Sequence, residues 1–276
     1  IGTPAEETAG TKVPMSAMGV FKDYDAVMMA HPMFSNTDCF NSIAMDAYQI
    51  EFFGKPAHAA SAPHEGINAL DAMINFFNLI NAMRQETKPD ARIHGVITDG
   101  GKAANIIPDY TAASFYIRAN RVADVKQLAE RVRSCAAGAA LATGCTYRME
   151  YNEENFKDTV RNHVLNDLAA DYLDSFTDTP LIRLGDTYTP GSSDIGDVSY
   201  EAPAVQMQFK IGDYPNPMGG AHTPEMAAAA ASDYGIDNGL NFVKGLVLTA
   251  IDLMTKPEIL AAIKEEFSHV SDETVM

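Results

Sequence analysis

Between residues 47 and 151 the hydrophobic and polar positions repeat with two different periods. Ala47–Phe53 (AYQIEFF) alternates residue by residue, which predicts a half-buried strand. Ile67–Arg84 sets Leu70, Met73, Ile74, Phe77 and Ile80 at helical spacing, a core-facing stripe rather than a cofactor box. Arg92–Thr98 (RIHGVIT) and Thr111–Ala119 (TAASFYIRA) return to strand character on either side of the Gly100-Gly101 turn. In the second of these, period two puts Ser114, Tyr116 and Arg118 on one face and Phe115 and Ile117 on the other. Val122–Ala142 predicts a helix with Val125, Leu128, Ala129 and Val132 inward, and Thr146–Tyr151 (TYRMEY) a closing strand. Strand, helix, strand, strand, helix, strand is the split βαβ, ferredoxin-like order. It predicts a compact domain over residues 45–155, inserted between two pieces of another, residues 1–44 and 156–276.

The flanking pieces read as α/β. Lys12–Gly19 is apolar and small, helical around Met15–Met18, and Tyr24–Ala30 (YDAVMMA) is a strand-length apolar run ending at His31-Pro32. Asp158–Asp174 reads as helix, Leu181–Leu184 as a short strand, and Ala204–Ile211 (AVQMQFKI) as another strand. Pro215–Met226 reads as loop, with Leu240–Met254 and Glu258–Phe267 as closing helices.

Composition narrows the function. The 276 residues hold 46% hydrophobic side chains, enough for a sizeable core, and 20 basic against 37 acidic residues, net charge −17. That balance disfavours nucleic acid, whose phosphates call for Lys/Arg patches, and an anionic membrane surface. No apolar run approaches the roughly 20 residues of a membrane span. Cys39, Cys135 and Cys145 are too few and too scattered for a disulfide framework or a CxxC zinc site, so a reducing, cytoplasmic compartment is expected.

Candidate chemistry begins at the start of the chain. Ile1-Gly2-Thr3-Pro4-Ala5 leads into adjacent carboxylates, Glu6 and Glu7, at what reads as a turn. A hydrolytic metal site needs that pair: one carboxylate to fix a cation, another to take a proton from water. Adjacent acids are ordinarily a solvated surface, and this pair gains weight only from distant imidazoles. His31 closes a buried strand, where α/β folds carry ligands, although a hydrogen-bonded loop histidine has the same signature. His58 lies among small residues in Gly54-Lys55-Pro56-Ala57-His58-Ala59, and His222 follows a Gly-Gly-Ala turn. Arg118 reads equally as a solvated strand charge or as a fork for a carboxylate. Thr189–Asp197, with Ser193-Asp194, is a polar, glycine-punctuated loop of open role. His94, His163 and His269 read as structural or solvated.

Taken together, Gly2-Thr3-Pro4-Ala5-Glu6-Glu7, Met29-Ala30-His31-Pro32, Gly54–Ala59, Asn105-Ile106-Ile107-Pro108, Arg118-Ala119 and Ala221-His222-Thr223 resemble the dinuclear-metal aminoacylase and carboxypeptidase family, metallopeptidase family M-twenty. The motifs run in family order along essentially the whole chain. They look most like its amidohydrolase branch, with p-aminobenzoyl-glutamate hydrolase subunits and β-alanyl-lysine-type dipeptidases. The resemblance implies a zinc-exopeptidase-type three-layer catalytic domain, incomplete here, with an inserted ferredoxin-like lid that forms a homodimer. It implies that Glu6 is the general base, that Glu7, His31 and His222 are metal ligands, and that His58 donates to the developing oxyanion. Arg118 then holds the substrate carboxylate, and Asn105 binds substrate beside His58. The metal implied is zinc, with manganese or cobalt as alternatives.

The chain departs from the family in one respect. The family's first metal ligands lie upstream of the Glu-Glu motif and none is present in this sequence; Cys39, beyond His31, does not replace them. The expectation is that upstream sequence is missing, removed or carried by a separate chain. The reading is therefore a metal-dependent amidohydrolase or peptidase acting on an N-acyl amino acid, an aminobenzoyl-glutamate-like compound or a dipeptide. The alternative is a non-catalytic fragment or subunit that dimerises or binds a carboxylate.

Overall fold

The computed structural model describes residues 1–213 and 221–270, the side chains of 7 and 8 excepted. The chain is mixed α/β and divides into two compact units. One comprises Ile1–Glu6, Gly10–Ser42 and Asp158–Met276, the other Glu7–Ala9 and Ile43–Lys157.

In the first unit, strands β1 (Val27–Met33) and β6 (Ala204–Lys210) pair in parallel from Val27↔Ala204 to Met33↔Lys210. Both faces of this pair are covered, as a parallel ladder requires. Met28, Ala30, Val205, Met207 and Phe209 pack on one side against α5 (His163–Asp174), α8 (Asp233–Thr255) and α9 (Pro257–Ser268). Val27, Met29 and Ala204 pack on the other with Phe21, Met15 of α2 (Lys12–Ala17), and Ile195 and Val198 of α6 (Ile195–Ser199). The result is helix, sheet, helix.

In the second unit β2 (Ala44–Phe53), α3 (Ala69–Met83), β3 (Arg92–Asp99), β4 (Tyr110–Ala119), α4 (Val122–Thr143) and β5 (Thr146–Tyr151) follow the order read from the sequence. The antiparallel sheet runs β3-β4-β2-β5, the ferredoxin-like arrangement. Tyr48, Ile50, Phe52, Phe115 and Ile117 are buried against Met73, Phe76 and Ile80 of α3 and Val125, Leu128 and Val132 of α4. The opposite face keeps Ser114, Tyr116 and Arg118 half-buried.

Several local expectations are corrected. β1 runs through His31 and Pro32 instead of ending before them, because Met33 still pairs with Lys210. Helix α5 starts at His163, capped by Asn162 accepting from the Leu165 amide, so residues 158–162 are not helical. Leu181–Leu184 gives only an isolated bridge between Ile182 and Thr37. Helix α7 (Pro224–Ala230) begins before the expected loop would end at Met226, started by the Thr223 side chain with proline at its first turn. The Glu6-Glu7 turn is the first part of a short helix, α1 (Glu6–Ala9).

Gly54 is a position where only glycine fits. Lys55 and Ile67 exchange backbone hydrogen bonds at 2.8 and 2.9 Å, and a Cβ on Gly54 would lie 2.1 Å from the Ile67 carbonyl oxygen. Gly54→Ala is expected to lower stability by about 1–3 kcal/mol, because backbone must shift to relieve the clash. Urea unfolding measures it, and a variant as stable as the parent would show that the two segments are free to separate.

Candidate active site

Glu6 is the first residue of α1, half-buried, and follows Ala5 at φ 61°, ψ 40°. The helix ends at Gly10, also left-handed at φ 49°, whose amide donates to the Glu6 carbonyl at 3.3 Å. For alanine the left-handed region costs about 1–2 kcal/mol. Among the described residues Ala5 and His222 are the non-glycine residues with positive φ, His222 at 59°. Strained backbone thus sits beside the proposed base and at a proposed ligand, a pattern typical of functional sites. The side chain of Glu7 lies outside the described residues.

His31 lies two residues before the end of β1, opposite Gln208. Its Nδ1 is 2.8 Å from the Pro32 carbonyl oxygen. A carbonyl can only accept, so Nδ1 carries the proton and Nε2 keeps its lone pair, the state a metal ligand needs. Because β1 and β6 are parallel, the chain leaves β6 at the same end of the ladder and continues to His222, exposed just ahead of the Thr223 cap of α7.

In the second unit two sequence motifs are joined by backbone. Ala59 N–H donates to the Asn105 carbonyl at 3.0 Å, Ile107 N–H to that of Ala57 at 2.9 Å, and His58 bridges Ile106. His58 has the opposite tautomer to His31. Its Nδ1 lies 3.3 Å from the amides of Ala60 and Ser61, which can only donate, so Nδ1 accepts and the proton resides on Nε2. The exposed imidazole therefore presents a donor. Arg118, on β4 opposite Met45 and Arg92, holds its guanidinium 5.5 Å from the centre of the Tyr116 ring, and Tyr116 donates to Glu153 at 2.8 Å. Burial pulls the Arg118 pKa down. The His94 ring meets Tyr116 edge-on at 5.6 Å; burial first, then the charges of Arg118 and Arg84, pull the His94 pKa below its usual value.

Among the described residues no three His, Cys, Asp or Glu side chains gather as a metal-binding group. Cys39 is not a candidate thiolate: burial, then the neighbouring Asp38 carboxylate, push it up to about 12, so it is a neutral thiol at pH 7. The donors proposed, imidazole and carboxylate, suit zinc, manganese or cobalt, and the His31 tautomer fits that use. Sequence reasoning left Lys12 without a role. The structure buries it against Asp194, with 2.6 Å from Nζ to Oδ1 and 3.1 Å from the Lys12 amide to Oδ2. A lysine opening an apolar stretch was the sequence signal for it.

Residues 45–143 match the peptidase dimerisation domain. The chain is 34% identical over 275 residues to the Xaa-Arg dipeptidase of Mus musculus, covering 97% of this chain and 61% of that protein. It is 34% identical over 155 residues to a p-aminobenzoyl-glutamate hydrolase subunit of Escherichia coli, covering 55% and 32% of the two chains. The crystal structure of the aminobenzoyl-glutamate utilization protein from Klebsiella pneumoniae has the same fold, with a TM-score of 0.61 and 18% identity over 82% of this chain and 57% of that one. The chain thus spans about three-fifths of the length of the dipeptidase it matches.

Two measurements probe this geometry. Ala5→Gly is expected to be at least as stable as the parent and Ala5→Val less stable, since β-branching is least tolerated in the left-handed region. The reverse order in thermal unfolding would exclude strain at Ala5. The His94 imidazole is expected to titrate below 6.5 by NMR, and Arg118→Met to move its midpoint upward. Because the folded pKa is depressed, the stability tied to neutral His94 is complete above the unfolded value of about 6.5 and is lost as pH falls through the folded one. A midpoint at or above 6.5 would contradict the burial and charge around it.

Proposed function

As the chain belongs to the M-twenty amidohydrolase family, we propose that it forms part of a metal-dependent hydrolase of amide bonds next to a free carboxylate. The substrate class is an N-acyl amino acid, an aminobenzoyl-glutamate-like compound or a dipeptide. The observation that carries the site assignment is the coincidence of left-handed, non-glycine backbone with Glu6's neighbour Ala5 and with His222. The opposite tautomers of His31 and His58 support it, one leaving a lone pair and the other a proton on Nε2.

Glu7, through its carboxylate, and His31 and His222, through their imidazoles, would hold the cation, with zinc first and manganese or cobalt as alternatives. When bound, a divalent cation supplies Lewis acidity toward the amide carbonyl and toward water. Glu6 takes a proton from the attacking water and returns it to the leaving amine. His58 donates from Nε2 to the oxyanion that forms as the amide carbonyl is attacked. Arg118, its guanidinium 5.5 Å from the centre of the Tyr116 ring, binds the substrate carboxylate as a bidentate fork, and Asn105 contributes a further polar contact. Residues 45–143 serve as the dimerisation surface of a homodimer, and a separate chain supplying further ligands is part of the proposal.

A second reading, a non-catalytic subunit that dimerises and binds carboxylates, draws on the match of residues 45–143 to the peptidase dimerisation domain. Glu6→Gln in the complete, metal-loaded protein separates the two. Hydrolysis of an N-acyl amino acid is expected to fall about 10²–10⁴-fold while elemental analysis shows unchanged metal content. Undiminished turnover would end the assignment of Glu6 as base, and metal-free, inactive wild-type protein would favour the second reading.

A further inference from the structure

The Ser193-Asp194 loop has no part in the chemistry above, yet Asp194 is fully buried with both carboxylate oxygens engaged by one residue. Oδ1 receives Lys12 Nζ at 2.6 Å and Oδ2 the Lys12 backbone amide at 3.1 Å, with the Asp194 and Lys12 side chains 0% and 8% exposed. Ser193 is fixed beside it, its hydroxyl 3.2 Å from Gln206 Oε1 on β6. Lys12 opens α2 shortly after Glu6. Between them the Gly10 amide donates to the Glu6 carbonyl, the Val13 amide to the Gly10 carbonyl, and the Thr11 hydroxyl to the Pro4 carbonyl. Residues 4–13 are therefore a closed bracket around Glu6, and Asp194 fastens that bracket to the loop ahead of α6.

We propose that Asp194 is a positioning residue for Glu6, acting through the Lys12 backbone amide. A buried ion pair alone is weak evidence of stabilisation, since apolar replacement of both partners is often neutral. The second bond, to the backbone, is what a structural charge pair does not need. It fixes where the chain after α1 begins its next helix, and hence the direction in which Glu6 leaves the strained residue Ala5. The inference rests on the reading of Glu6 as base.

The test uses double variants in the complete, metal-loaded protein, so that no unpaired charge is left buried. Lys12→Met with Asp194→Asn retains an acceptor for the amide at position 12; Lys12→Met with Asp194→Leu does not. Both are expected to unfold at similar urea concentrations and to keep their metal. The asparagine pair is expected to hold kcat within about three-fold. The leucine pair is expected to lose about 10–100-fold in kcat with KM within about two-fold, the size of effect that small misplacement of a catalytic group produces. If the leucine pair fails to fold, Lys12→Met with Asp194→Ala takes its place. Full kcat in the variants without an acceptor overturns the proposal, and so does equal loss in the asparagine pair. Glu6→Gln assayed alongside distinguishes the two failures. An inactive Glu6→Gln with active acceptor-free variants removes only the role of Asp194, whereas an active Glu6→Gln removes the reading of Glu6 itself.

Discussion

The first unit depends on one parallel ladder between strands that lie far apart in the chain. Val27–Met33 meets Ala204–Lys210 residue for residue. Closing so long a loop costs conformational entropy, which grows slowly with length but must be offset by burial. Both faces of the ladder bury apolar side chains, so β1 (VMMAHPM) and β6 (AVQMQFK) need no strict alternation. A slip by one residue would exchange the two packed faces and turn His31 to the other side. Register, core and the facing of one proposed ligand are thus a single constraint.

The candidate site draws on local geometry more than on titration. His31 and His58 are chemically the same side chain, and their neighbours give them opposite states. The Pro32 carbonyl requires a proton on Nδ1 of His31, whereas the Ala60 and Ser61 amides forbid one on Nδ1 of His58. Each assignment follows from groups close by in sequence, yet depends on backbone direction that the sequence does not display. The same holds at Ala5, whose left-handed conformation no alanine announces.

Much of the second unit was legible in advance because it obeys short-range periodicity. The alternation of β4 buries Phe115 and Ile117 as marked, and turn glycines separate the elements. The α3 stripe is met at Met73 and Ile80, but Ile74 is exposed and the unmarked Phe76 takes the core position, because the buried face is turned slightly from the one the spacing suggested. The first unit was less legible. Its strands are apolar on both faces, so β1 could not be ended correctly from its pattern, and α7 was masked by proline and glycine that read as loop. Motif order indicated Glu6, His31, His58, Asn105, Arg118 and His222, but motif order carries no distances.

The sequence by itself determined the residue types available, the split βαβ order and the acidic balance, because these are properties of composition and of spacings within one turn or one pleat. Only tertiary structure decided which ring nitrogen carries each proton and that the His58 and Asn105 motifs are hydrogen-bonded to each other. It alone decided that Lys12 ends at Asp194, 182 residues away. The physical reason is that a buried charge must find a partner once water is removed, and which partner is within reach is fixed only when distant segments pack.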